Sequence, residues 1–249
     1  MALFTDGELA TLERLREHES AIEEVLTGER IEMSSKLRLA HEDVAADLNV
    51  FLAHAADEGG DTWALENVVV TTALRQWEVL HALELIYRDA YSSHLNDRYR
   101  AKWNEYRRSA REARRRLFEQ GLGVTRKPIP KAPIPKLGDV AGTNPGGTFW
   151  ARVSWVREEE EGAPSDAKAW PTAANTTLTV EAVEPPAGIT GWNLYVGVLP
   201  DDVELQNDRP LAPGSIWTMP ETGPRRGRPP GTGQTASEFL RVRHILLRG

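Results

Sequence analysis

In the first half of the chain apolar residues recur every three or four positions. Leu9, Leu12, Ile22 and Leu26 form a first series, which Thr5 or Asp6 can cap and Gly28 ends. A second series, Leu37, Val44, Leu48, Phe51 and Leu52, opens at Ser34 or Ser35 and is broken by Gly59 and Gly60. The third is the longest. From Asp61 or Thr62 it runs through Leu65, Val69, Leu74, Trp77, Leu80, Leu83, Leu85 and Ile86, and its wide apolar coverage predicts the buried centre of this half. In the fourth, over 96–119, Tyr99, Trp103, Tyr106, Ala110, Ala113 and Leu117 form an aromatic seam beside an arginine-rich face, and Gly121 and Gly123 stop it. Four helices with short connections predict a small bundle.

The pattern then changes period. Over 148–156, Phe149, Ala151, Val153 and Trp155 alternate with Trp150, Arg152, Ser154 and Val156; over 191–197, Trp192, Leu194 and Val196 alternate with Asn193 and Tyr195. With a further strand-like run over 176–183 and frequent Gly/Pro turns, period-two alternation predicts a β-sandwich. The Gly/Pro-rich stretch 220–234 predicts no regular structure. The last residues, from Phe239, alternate apolar and basic and predict an exposed strand. Such a strand suits addition to a partner's sheet edge or completion of the chain's own sandwich.

Between the halves lies 127–136, Lys-Pro-Ile-Pro-Lys-Ala-Pro-Ile-Pro-Lys. Alternate prolines exclude helix and central strand, so the segment predicts a polyproline II spacer of roughly 30 Å, with flexible chain over 138–147. The fold class expected is multidomain, α plus β: a helical bundle over 1–124, a linker over 125–146, a β-sandwich over 147–222 and an extended C-terminal arm over 223–249.

Composition narrows the function. No run approaches a membrane span and the N-terminus has no signal-peptide pattern. The absence of cysteine excludes disulfides, thiolate metal sites and cysteine nucleophiles. His18, His41, His54, His81, His94 and His244 show no metal or hydrolase spacing, Gly231-Thr-Gly-Gln234 lacks the context of a phosphate loop, and 158–161 reads as a solvated hairpin tip. No catalytic residue, cofactor or metal ligand is assigned, and an enzyme is not expected.

The net charge of −7 conceals an acidic start and a basic block over 98–116. Arg98, Arg107, Arg108, Arg111, Arg114 and Arg115 are the candidates for subunit or DNA contacts. Arginines there suit salt bridges to acidic helices, within the bundle or across subunits, or a phosphate backbone.

The helical half, with its Trp77 helix and its Tyr/Trp/Arg-rich helix, resembles the head–tail connector (adaptor, neck) proteins of tailed bacteriophages. Gly147-Thr-Phe-Trp-Ala-Arg-Val-Ser-Trp-Val156 with Glu161-Gly-Ala-Pro-Ser165 is similar to late strands of an Ig or fibronectin type III-like domain; Gly191-Trp-Asn-Leu-Tyr-Val-Gly197, Leu205-Gln-Asn207 and Ala212-Pro-Gly-Ser-Ile-Trp-Thr218 resemble its earlier strands in permuted order. The resemblance implies a structural virion protein, assembled in the host cytoplasm, that forms a homo-oligomeric ring of twelve copies below the portal, around the DNA channel. Its implied partners are itself, the portal protein, tail or neck proteins and packaged DNA, with no membrane. It also implies a portal-docking arm carrying Phe239, Leu240, Val242, Ile245, Leu246 and Leu247. Two alternatives remain: a tail or surface module binding host glycan through Trp150, Trp170 or Trp192, and a DNA-binding bundle with a β-module.

Overall fold

The computed structural model describes residues 2–59, 62–94 and 97–241. Five helices come first: α1 (Leu12–His18), α2 (Ile22–Gly28), α3 (Met33–Gly59), α4 (Thr72–His94) and α5 (Asp97–Gln120). Ten strands follow: β1 (Leu122–Val124), β2 (Lys136–Ala141), β3 (Gly147–Arg157), β4 (Glu160–Glu161), β5 (Lys168–Thr172), β6 (Thr176–Glu181), β7 (Gly191–Gly197), β8 (Glu204–Leu205), β9 (Ile216–Thr218) and β10 (Glu238–Leu240). The fold is mixed α and β, helical first and strand-rich second. The described residues divide into two compact units, one of 7–126 with 236–241 and one of 2–6 with 127–235.

In the helical unit α4 packs against α5, α3 and α1, and Leu74, Trp77, Leu80, Leu83, Leu85 and Ile86 are all buried. The first predicted helix is instead two short ones. Thr11 caps α1 through its hydroxyl, which accepts the Arg14 amide, and Glu19 turns the chain out of it in an extended conformation. The preceding amides of Leu9 and Ala10 are given to the buried Glu78 carboxylate at 2.7 and 3.2 Å, and this stretch is not helical. The third helix also starts later than its apolar series. Val68, Val69 and Val70 are extended and buried, Val69 donates to the Gly123 carbonyl, and the Thr71 hydroxyl accepts the Leu74 amide at 3.3 Å. A β-branched run favours such extended backbone. Gly121, at φ +111°, ends α5; the φ is one that a side chain rarely adopts.

In the strand-rich unit one sheet has the order β2-β6-β9 and another β4-β3-β7-β8, with β5 also on β3. Every one of these pairings is antiparallel. Leu137, Leu178 and Val180 of the first sheet share one buried cluster with Val153, Trp155, Trp192 and Leu194 of the second. Trp155 lies directly opposite Trp192 in the β3–β7 register, and both rings are fully buried.

The proline segment is not a free spacer. Ile129 and Ala132 are buried in that same cluster. Polyproline II backbone makes no internal hydrogen bonds, and here its amides find other partners. Ile129 donates to the Gln234 side chain at 3.0 Å, Lys131 to Asp6 at 2.7 Å and Ala132 to the Ala163 carbonyl at 3.4 Å. The chain expected to be flexible after it forms β2, paired along its whole length with β6, because Leu137 gives it an apolar anchor. The stretch 220–234 lacks regular strands, as the sequence implies, yet it is pinned. Gln206 accepts the Arg225 amide at 2.9 Å, and Leu205 donates to the Arg228 carbonyl at 2.9 Å. That layer explains why β7 is buried at every position, where alternation alone predicts one face in water.

Candidate assembly surface

The arginine-rich helix is the feature with most chemistry, and its geometry follows from its sequence. At about 100° per residue, Tyr99, Tyr106, Ala110, Ala113 and Leu117 fall on one arc and are the buried residues of α5. Arg100, Arg107, Arg108 and Arg111 fall on the adjoining arc, and Glu105, Glu112 and Glu119 beyond them. The aromatic seam is a stack. Tyr87 lies 5.3 Å from Tyr106 with nearly parallel rings, and Tyr91 lies 5.5 Å from Trp103. These rings are packing elements, with Trp103 half-buried.

Beneath the seam sits Glu19. It accepts the Tyr106 hydroxyl at 3.0 Å and pairs with Lys102 at 2.9 Å. Burial pushes its carboxyl up, but Lys102 and Tyr106 outweigh burial and hold it below its ordinary range. Burial, together with this carboxylate, raises both the Tyr87 and Tyr106 phenols well above their ordinary value.

The six candidate arginines separate into two kinds. Arg114 pairs with Asp47 of α3 at 2.7 Å and lies over the Phe118 ring. Arg115 bridges Glu112 and Glu119, each at 2.7 Å, and Arg98 lies over Tyr99 with Glu29 at 3.9 Å. These three are committed within the unit. Arg107 covers Trp103 at 5.9 Å, and Arg108 donates to the Asn104 carbonyl at 3.2 Å. Arg107 and Arg111 face Glu84 and, behind His81, help to lower its carboxyl against the opposing effect of burial. Among the described residues none of Arg107, Arg108 and Arg111 closes an ion pair within 4.0 Å, although Arg107 and Arg111 still act on the Glu84 carboxylate.

Under the stripe is a pocket of about 190 Å³ lined by Asp43, Asp47, His81, Glu84, Arg111 and Arg114 among others. His81 is held from both sides, Nε2 to Asp43 at 3.0 Å and Nδ1 to Glu84 at 3.1 Å. No group of three His, Asp or Glu residues suited to a metal ion occurs among the described residues.

Strand β10 is placed differently from expectation. Phe239 and Leu240 lie in β10, which pairs with β1 of the helical unit and not with the sandwich sheets; Gly123 faces Phe239 and Leu122 faces Leu240. The strand is fastened by Glu238 to Arg126 at 2.5 Å and by Arg241 to the Gln120 carbonyl at 2.9 Å. Phe239 remains 57 % exposed. Val242, Ile245, Leu246 and Leu247 lie outside the described residues.

Of the tryptophans considered as sugar platforms, Trp192 is fully buried and donates its indole N–H to the Ala212 carbonyl at 3.0 Å. It cannot present a face to a ligand. Trp170 donates to Asp139 at 2.9 Å and packs on the core cluster.

Two polar centres escaped the sequence reading. Glu78 sits inside an apolar helix and looks like a single interruption of its stripe. Glu161 lies at what reads as a solvated tip, but it accepts hydrogen bonds from Ser154 and Tyr195 and pairs with Arg228 at 2.6 Å. Burial pushes the Glu161 carboxyl up, and these three partners bring it below its ordinary value. The only available signal was Arg228 itself, one of several arginines in an irregular stretch. No protein-family model matches the chain, and searches of curated proteins and of solved structures return no significant match.

Proposed function

We propose that this chain is a structural virion protein, the head-to-tail adaptor of a tailed bacteriophage, forming a ring of its own copies below the portal and bridging portal to tail around the DNA channel. The observation that carries the reading is the charge left over in the helical unit. Among the described residues Arg107, Arg108 and Arg111 close no ion pair within 4.0 Å on α5, while Glu13, Glu17 and Glu24 are exposed on α1 and α2. Opposite charges on different helices of one unit suit heterologous pairing between copies, and such pairing closes into a ring when the rotation allows. The resemblance noted above supplies the portal and tail as partners. In the same reading the strand-rich unit is a fibronectin type III-like sandwich with permuted strand order, projecting a second surface, and residues 239–247 are the portal-docking arm.

The test is charge reversal. Arg107→Glu, Arg108→Glu and Arg111→Glu together should abolish self-assembly, seen by sedimentation velocity, and leave helix content unchanged by circular dichroism. Unchanged assembly with lost DNA retention would replace this reading with that of a DNA-binding bundle.

A further inference from the structure

The pocket of about 190 Å³ beneath the arginine stripe gathers charged groups from three helices: Asp43 and Asp47 of α3, His81 and Glu84 of α4, and Arg111 and Arg114 of α5. Helix α1 also packs on α4 but places no residue in this lining. Arg114 is taken by Asp47 at 2.7 Å. His81 is held at both ring nitrogens, Nε2 at 3.0 Å from Asp43 and Nδ1 at 3.1 Å from Glu84.

A neutral imidazole carries one N–H, and only imidazolium carries two. A carboxylate at each nitrogen therefore describes the protonated ring. Three carboxylates, Asp43, Asp47 and Glu84, then share the pocket with three cations, His81, Arg111 and Arg114. Loss of the ring proton removes one of those cations. Asp43 can turn to water, with its side chain 51 % exposed, but Glu84 is only 17 % exposed. An enclosed carboxylate deprived of its counter-charge is costly, so Glu84 needs another cation. Arg107 and Arg111 of α5 already act on it, although among the described residues neither closes an ion pair with it within 4.0 Å.

We propose that His81 is a proton switch for the arginine stripe: the protonated ring satisfies Glu84 and leaves Arg107 and Arg111 at the surface, whereas the neutral ring lets Glu84 draw both guanidinium groups into the pocket. The consequence for assembly rests on the ring reading above. Burial lowers the His81 value, but Glu84 and Asp43 outweigh it and set the folded value above 6.5. Copies should therefore join through the stripe below about pH 6.5 and loosen as pH rises through the folded value.

The test follows two signals in the labelled natural chain by NMR between about pH 5.5 and about pH 9, the His81 ring and the guanidinium carbon of Arg111. Sedimentation velocity compares self-association at the two ends of that range. The Arg111 signal should inflect where His81 titrates, and association should be on the order of tenfold weaker at the high end. His81→Gln, neutral throughout, should lose the inflection and associate weakly at both ends. His81→Lys, charged throughout, should associate strongly at both, which separates His81 from the titration of His18 and His41. The titration of the natural chain needs neither variant to fold. An Arg111 signal that stays flat while His81 titrates would overturn the proposal and leave the ring reading standing. An inflection in a chain that associates at neither end would support the switch and refute the ring.

Discussion

The Nε–H of Arg114 points at Asp47 across 2.7 Å, tying α5 to α3, whereas Arg111, one turn earlier on α5, closes no such pair among the described residues. One helix thus holds arginines that fasten the unit and arginines that remain for something else. The distinction is testable because the two groups should fail differently.

A double-mutant cycle on Asp47→Ala and Arg114→Ala should give a coupling of about 0.2–1 kcal/mol in urea unfolding, since both side chains are nearly half exposed. Self-assembly should persist in both single variants. Loss of assembly in Arg114→Ala with unchanged stability would move Arg114 to the outward-facing group.

Glu78 should matter far more than its count of charges suggests. Its carboxylate accepts two backbone amides and contacts His41 Nδ1 at 3.0 Å. Glu78→Ala leaves those amides buried without an acceptor, and the expected loss is about 3 kcal/mol in urea unfolding. Glu78→Gln keeps one acceptor oxygen and should lose less. Equal stability of both variants with the natural chain would show that the turn before α1 is held by other contacts.

His81 gives the helical unit a pH signature. Burial alone would lower its value, but Glu84 and Asp43 outweigh burial and raise it above 6.5. A raised folded value means that its contribution is fully present below about pH 6.5 and fades as pH rises through the folded value. The Glu84 carboxyl is lowered, so its contribution is present above 4.5 and fades as pH falls through its folded value. The stability lost in His81→Gln should therefore be greatest near pH 5.5 and shrink towards pH 9. A loss independent of pH would mean that the clamp acts through packing alone.

In the strand-rich unit, Arg228→Ala should release the stretch that covers β7. Arg228 meets Glu161 at 2.6 Å and lies over the Tyr195 ring at 5.6 Å. Without it, trypsin should cut after Arg225 and Arg226 on the order of tenfold faster, because local opening governs cleavage. An unchanged cleavage rate would show that Gln206, which accepts the Arg225 amide, suffices to hold the stretch.

Buried Trp192 changes what a substitution there reports. Trp192→Ala should cost about 3–5 kcal/mol by emptying the centre of the core, so reduced glycan binding in that variant would measure unfolding.

Much of the helical unit is written in local periodicity. Leu37, Val44, Leu48, Phe51 and Leu52 were expected on one face of α3, and all are buried. The α5 seam is likewise visible, because a 3.6-residue repeat survives without knowledge of its partner. What escapes depends on partners distant in sequence. Val68 to Val70 continue an apolar series, and only Gly123 of β1, bound by Val69, shows that they are extended. Leu137 in β2 is flanked by prolines and glycines, and its strand exists because Val180 pairs with it across the sheet. Tyr195 alternates like an outward residue, yet Arg228 from a distant irregular stretch covers it. The stripe of Arg107, Arg108 and Arg111 was legible as charge. Its separation from Arg114 was not, since Asp47 belongs to another helix.

The most direct measurement is electron microscopy of the purified chain mixed with the portal protein of the same genome. The account predicts a ring of this chain stacked on the portal with matching rotational symmetry, α5 stripes at the contacts between copies and residues 239–247 on the portal. A folded chain that remains unassociated with the portal would contradict it.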